Sequence, residues 1–168
     1  MSQALPDTYD GSHAVQAVLE LRAEAAQIDR IHVAGNERMA TINNIPEPAD
    51  IMMAQYSIPF CVALALYRDP RNPASFDQSA LVNTDLRAMC RRVDVTVANP
   101  PTSVLGASKV TIRFRNGQMI SREVEDFDGT PNRPLRPAEL RNKFMMIHKR
   151  VWHGTGCVDV RPPAKHRR

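Results

Sequence analysis

Val110, Ile112 and Phe114 alternate with Thr111, Arg113 and Arg115, and after Asn116-Gly117 the apolar positions resume at Met119-Ile120, with Val124 beyond. Successive side chains on a strand point to opposite faces, so this spacing gives each arm one apolar and one polar side. An Asn-Gly pair between two such arms is a strong hairpin signal. A type I′ turn needs positive φ at both central positions, and these two residues tolerate it. A two-stranded ribbon is marginal alone, so the apolar side must be covered by further strands or by helices.

The rest of the chain supplies both. Residues 1 to 11 read as an extended lead-in. Ser12 stands where an N-cap belongs, and Val15, Val18, Leu19 and Ala26 follow at helical spacing. Ile31 and Val33 alternate in a strand that ends at Gly35, and residues 36 to 48 read as a loop with two prolines. From Asp50 to Tyr67 the spacing of Ile51, Ala54, Ile58, Val62 and Ala65 or Leu66 predicts a long apolar core helix, kinked or broken at Pro59. A short helix is expected over Ser75 to Leu81, and another from a Thr84 or Asp85 cap to about Arg92. Val93, Val95 and Val97 then form a strand that Asn99-Pro100-Pro101 ends. Asp126 to Leu135 is a loop. Pro137 sits at the first position of a last helix with Leu140, Phe144, Ile147 and Val151 on one stripe. The predicted class is α+β: one small, mostly antiparallel sheet of about four strands with helices packed on it. The last three strands are expected as a meander, with the early strand joining the sheet. The domain is expected over residues 12–152, with a basic, disordered tail over 153–168.

Composition narrows the function. The net charge of +4 is concentrated at one end, where Arg133, Arg136, Arg141, Lys143, Lys149, Arg150, Arg161, Lys165, Arg167 and Arg168 face only Glu139 and Asp159. The excess therefore reads as a solvated tail rather than a basic body. Cys61, Cys90 and Cys157 have no zinc-ligand spacing, and no metal is expected. Cys61 and Cys90 stand in apolar contexts, read as buried thiols, and favour a reducing compartment; the expected location is cytoplasmic. The opening MSQALPDTYDGS has no apolar core of a signal peptide, and the stretch from Ile58 to Leu66 is too short for a bilayer, so no membrane partner is expected. No Gly-rich phosphate loop and no GxSxG element is present.

Three stretches, in order, resemble the MmgE/PrpD family. Ser12-His13-Ala14-Val15-Gln16-Ala17 through Leu21-Arg22, followed by Ile28-Asp29-Arg30-Ile31-His32-Val33, is similar to a family helix and its "I-x-x-I-x-V" strand. Ala54-Gln55-Tyr56-Ser57-Ile58-Pro59-Phe60-Cys61-Val62-Ala63 is similar to "A-Q-F-S-L-P-Y-x-V-A", the most specific of the three. Pro134-Leu135, Glu139-Leu140 and Lys143-Phe144 are similar to "P-L-S-x-x-E-L-x-x-K-F". The resemblance covers the family's smaller, C-terminal domain. It implies a cofactor-independent lyase or isomerase of small polycarboxylates, of the kind of 2-methylcitrate dehydratase, cis-aconitate decarboxylase or iminodisuccinate epimerase. Most of such a site belongs to a helical N-terminal domain. This chain is therefore expected to be inactive until that domain complements it, and a homodimer is compatible with the reading. Two departures stand out. The lysine that many members carry before the first helix has no counterpart among Ala4 to Gly11, and Arg136 replaces the serine of "P-L-S", removing a capping hydroxyl.

The resemblance places His13 at the edge of the substrate cleft as the catalytic candidate, with a surface histidine in a first helical turn as the alternative. It makes Gln55, Tyr56 and Ser57 the substrate-binding candidates, with packing around the Pro59 break as the alternative. His32, His148 and His153 read as surface residues, and Met52-Met53 and Met145-Met146 as core or a docking face. An exposed apolar docking surface is expected near Tyr9 to His13 and along Met145 to Trp152. A second class of function, a binding module whose basic end contacts nucleic acid, is weakened by the hairpin's lack of stacking aromatics beyond Phe114.

Overall fold

The computed structural model describes residues 9–100, 107–127 and 129–152. The chain divides into two compact units between Leu135 and Arg136. The expected tail over 153–168 and most of the expected lead-in lie outside the described residues.

The first unit is built on a four-stranded sheet: β1 (Ile28–Gly35), β2 (Val93–Val97), β3 (Ser108–Phe114) and β4 (Met119–Val124), in the order β2-β1-β3-β4. β1 pairs antiparallel with β3 and parallel with β2, and β3 pairs antiparallel with β4. The sheet is thus mostly antiparallel, as the sequence predicts, but the expected meander of the last three strands is not formed, because β1 lies between β2 and β3. The reason is burial. Ile28, Ile31 and Val33 of β1 are fully enclosed, so this strand takes the interior position where both its edges are hydrogen-bonded, while β2 leaves Val97 exposed at the margin. A parallel pair needs a long crossover, and the helical stretch between Asn36 and Arg92 provides it.

Helices cover one face. α1 (Tyr9–Leu21) packs on β3 and β4. α2 (Glu37–Thr41) packs on β2, as does α4 (Ile58–Leu64), which also meets α1 and α6 (Thr84–Cys90). α3 (Ile51–Tyr56) precedes α4, and α5 (Gln78–Leu81) precedes α6. The opposite face is polar. Arg30 pairs with Asp94 at 2.8 Å, Arg113 with Asp29, and His32 Nε2 lies 2.8 Å from Thr96 Oγ1. These exposed pairs add little stability, and they place His32 on the surface, as its position in the strand implies.

Several local expectations are corrected. Ser12 is not a cap; α1 begins at Tyr9 and Ser12 is buried inside it. The 36–48 loop contains α2, capped by Asn36, whose side chain accepts from Met39 N–H at 2.9 Å. The core helix is two helices, and the break falls at Ser57 rather than Pro59. Ser57 adopts φ −79°, ψ 115° and its Oγ accepts from Phe60 N–H at 3.0 Å, so Pro59 sits in the first turn of α4, where its missing N–H costs nothing. Asn83, not Thr84 or Asp85, caps α6. The hairpin forms as expected, but not through a type I′ turn. Only Gly117 has positive φ (85°); its N–H donates to Phe114 C=O at 2.9 Å, and Phe114 N–H donates to Gln118 C=O at 2.8 Å. The loop thus holds three residues with glycine at the left-handed position, a geometry that asks nothing unusual of Asn116.

The second unit contains α7 (Pro137–Trp152). Although Arg136 lacks the hydroxyl of a capping box, the other half of the box persists: Glu139 Oε2 accepts from Arg136 N–H at 2.8 Å and Oε1 from its guanidinium at 2.9 Å. Leu140, Phe144 and Met145 are exposed on this helix.

Candidate functional site

His13 lies in the second turn of α1, and its ring meets Phe127 edge-to-face with centroids 4.9 Å apart. Only 1% of the residue is exposed, which corrects the surface alternative; of the apolar docking face expected near Tyr9 to His13, Ser12 and His13 are buried, and the Tyr9 side chain lies outside the described residues. Phe127 belongs to the loop after β4, which is internally bonded. Asp126 accepts from Phe127 N–H at 3.0 Å, Thr130 Oγ1 donates to Phe127 C=O at 3.1 Å, and Arg133 N–H donates to Thr130 Oγ1 at 3.2 Å. Asp126 titrates below the ordinary aspartate value. The Thr130 hydroxyl is the largest cause, burial opposes it, and the Asn132 amide, the Phe127 N–H and the charge of His13 add to the lowering. An imidazole beside such a carboxylate has the elements of a proton-handling pair.

Two turns along α1, Glu20 anchors the same loop. Its carboxylate accepts from Gln16 Nε2 at 3.0 Å, Arg122 Nε at 2.7 Å and Arg133 Nη2 at 3.4 Å, and Arg133 also donates to Asp126 C=O at 3.1 Å. Burial alone would raise the Glu20 pKa; the bonds from Gln16, Arg122 and Arg133 outweigh it and hold it below the ordinary value. The sequence reading named none of Glu20, Asp126, Phe127 and Arg133 as site residues. The one sequence signal is the Gln16–Glu20 spacing of four, which puts both on one helix face.

Gln55, Tyr56 and Ser57 lie at the α3–α4 joint. Ser57 is fully buried; besides capping α4, its hydroxyl donates to Ile45 C=O at 2.5 Å. Asn43 Nδ2 donates to Tyr56 C=O at 3.1 Å and Ile58 N–H donates to Asn43 C=O at 2.9 Å. Ser57 therefore has a complete structural role. Gln55 is half-buried and Tyr56 exposed. Asn43 Oδ1 is buried beside this joint and receives no donor from the protein. Around the joint, Ile42, Met52, Met53 and Tyr56 are exposed, Met52 to 69%. Met52-Met53 thus belong to a surface, not the core. Of the other expected apolar face, Met145 is exposed, and the side chains from Met146 to Trp152 lie outside the described residues.

Cys61 and Cys90 are buried, and burial pushes each thiol up to about 12, so neither is a nucleophile near neutral pH. Among the described residues no group of three or more His, Cys, Asp and Glu side chains is placed to hold a metal, and no helix is long and apolar enough to cross a membrane.

No curated protein matches the chain. The family model described as the MmgE/PrpD C-terminal domain matches residues 9–154, a span that takes in all three resembling stretches and runs from the start of α1 past the end of α7. The chain therefore belongs to the MmgE/PrpD family, of which it carries the C-terminal domain.

Proposed function

We propose that this chain is the small domain of a cofactor-independent lyase or isomerase acting on small polycarboxylates, 2-methylcitrate dehydratase-like in its chemistry, and that it turns over substrate only when a helical domain completes the site. The observation that carries the reading is the family match over 9–154. In this reading His13 moves or holds a proton, near the Asp126 carboxylate whose pKa its charge helps to lower. Gln55 and Tyr56 contact substrate from the α3–α4 joint, and Ser57 positions them by holding the break between the two helices. Removing a proton next to a carboxylate needs a placed base, an acid and groups that hold the carboxylates, and side chains can supply all three.

Two features support the need for a partner. His13 is enclosed by Phe127, so the chain alone offers its imidazole to no substrate. The apolar residues Ile42, Met52, Met53 and Tyr56 stand exposed beside the substrate-binding candidates, where a second domain would both cover them and enclose a cleft. The test is turnover of 2-methylcitrate, citrate and cis-aconitate by the chain alone and with the helical domain of a family member added in trans. Turnover only in the mixture, lost in His13→Ala, supports the proposal. Turnover by the chain alone, abolished by His13→Ala, refutes the requirement for a partner.

A further inference from the structure

At the end of α1 opposite to His13 lies a cavity of about 290 Å³, lined by Ala25, Ala26, Tyr67, Asp85, Ala88, Met89, Arg92 and Arg115. About 12 Å of helix separates His13 from Leu21, before the chain even reaches Ala25, so this cavity is not part of the His13 site. Its chemistry is unusual for the molecule. Among the described residues most arginines near a carboxylate are ion-paired, as Arg30, Arg68, Arg71, Arg91, Arg113, Arg122 and Arg133 are. Arg92 and Arg115 are not. Arg92 spends one donor on Ile28 C=O at 3.3 Å, and Arg115 is held through its backbone N–H to Gln27 C=O at 2.9 Å, which leaves its guanidinium uncommitted.

We propose that this cavity binds a small organic carboxylate that carries a hydroxyl and a short alkyl group. The guanidinium groups of Arg92 and Arg115 take the carboxylate, since planar donor pairs match its two oxygens. Asp85 accepts from the ligand hydroxyl. The methyl groups of Ala25, Ala26 and Ala88 and the Met89 side chain, which line the cavity, cover the alkyl portion. Tyr67 adds a donor. Burial, then the charge of Asp85, raises its pKa, so the phenol keeps its proton. Two cations against one carboxylate also favour a monoanion over a cation or a neutral ligand, while Asp85 disfavours a fully charged dianion.

The experiment is a titration of the full chain followed by backbone amide NMR, with 2-hydroxybutyrate, butyrate, inorganic phosphate and chloride at matched ionic strength. Saturable shifts at Ala25, Ala26, Ala88, Met89, Arg92 and Arg115 are expected with 2-hydroxybutyrate at millimolar concentration, weaker ones with butyrate. Arg115 is exposed, so Arg115→Gln leaves the fold intact; it is expected to weaken 2-hydroxybutyrate about tenfold or more, the loss of a charge-assisted hydrogen bond. Asp85→Ala should remove the advantage of 2-hydroxybutyrate over butyrate without weakening butyrate. Equal shifts with chloride, unchanged binding in Arg115→Gln, or shifts confined to other residues would overturn the site. Tighter binding of phosphate than of either carboxylate would overturn the ligand class.

Discussion

Glu20 and Ser57 show how single side chains hold this fold and its candidate site. Glu20 joins α1 to the loop that covers His13, and its folded pKa is depressed below the ordinary 4.5. A depressed carboxylate contributes stability that is fully present above its unfolded value and is lost as the pH falls through the folded one. Glu20→Gln is therefore expected to be less stable than the parent at pH 7, with the difference shrinking as the pH drops below 4.5; urea midpoints across that range measure it, and a constant difference would show that the charge is immaterial. Ser57 bonds in two directions, to Phe60 N–H and to Ile45 C=O. Ser57→Ala should cost about 1–2 kcal/mol in urea unfolding, the usual loss for an N-cap. A loss of activity in the complemented enzyme with no loss of stability would instead point to direct substrate contact. The motif that holds Ser57 was legible in the sequence, and so was its capping chemistry in principle. Its partner Ile45 was not, because no local pattern tells which carbonyl a buried hydroxyl will meet across a loop.

At the scale of the element, helix ends carry the clearest consequences. α1 ends on Arg22 with φ 48°, a left-handed conformation that glycine adopts without a side-chain penalty, and its N–H reaches Val18 C=O at 3.3 Å. Arg22→Gly is expected to raise stability by about 0.5–1 kcal/mol, because it relieves that strain; a lower urea midpoint would mean that the arginine side chain contributes more than the strain costs. At α7 the Glu139 half of a capping box is in place without its hydroxyl partner. Arg136→Ser should complete it and slow amide exchange in the first turn, by about 0.5–1 kcal/mol of local stability. Unchanged exchange there would mean that the arginine's own contacts with Glu139 are an equal substitute. Pro137 marked the start of α7 in the sequence, but the end of α1 was not marked, since the helical spacing was read on to Ala26; only the backbone angle of Arg22 and the direction of the Glu139 carboxylate show what each end lacks.

At the scale of the molecule, the exposed apolar residues on α2–α3 and on α7 bear on partnership. Ile42, Met52, Met53 and Tyr56 are exposed in the first unit, and Leu140, Phe144 and Met145 in the second; exposed apolar side chains that cluster on a surface mark interaction sites. The chain is expected to self-associate or to bind a helical domain of the family. Light scattering over a range of concentrations reads the first, and co-elution with the added domain reads the second. Met52→Glu, at the most exposed of these side chains, should weaken the association by about tenfold or more, since a desolvated carboxylate in an apolar interface is costly. A monomer at all concentrations that ignores the helical domain would show that these faces are simply solvated.

By itself the sequence determined which segments alternate and which repeat at helical spacing. That was enough for the α+β class, the hairpin at Asn116-Gly117, the first strand, and the family stretches that the match over 9–154 confirms. Those are local matters: periodicity follows from which side of a strand or helix faces the core. Strand order was decided only in three dimensions. On pattern alone the last three strands could have run as a meander with β1 at an edge, but β1 and β3 are both inner strands, and β1, with Ile28, Ile31 and Val33 fully enclosed, separates β2 from β3. The position of the helix break was likewise tertiary. Proline marks a place where a helix can start as readily as one where it must stop, and the Ile45 carbonyl and the Asn43 side chain selected Ser57. The same holds for His13. Its helix was legible, but whether it faced water or Phe127 depended on a loop 113 residues away in sequence being tied back to Glu20 through Arg133, and no local pattern encodes a contact of that range.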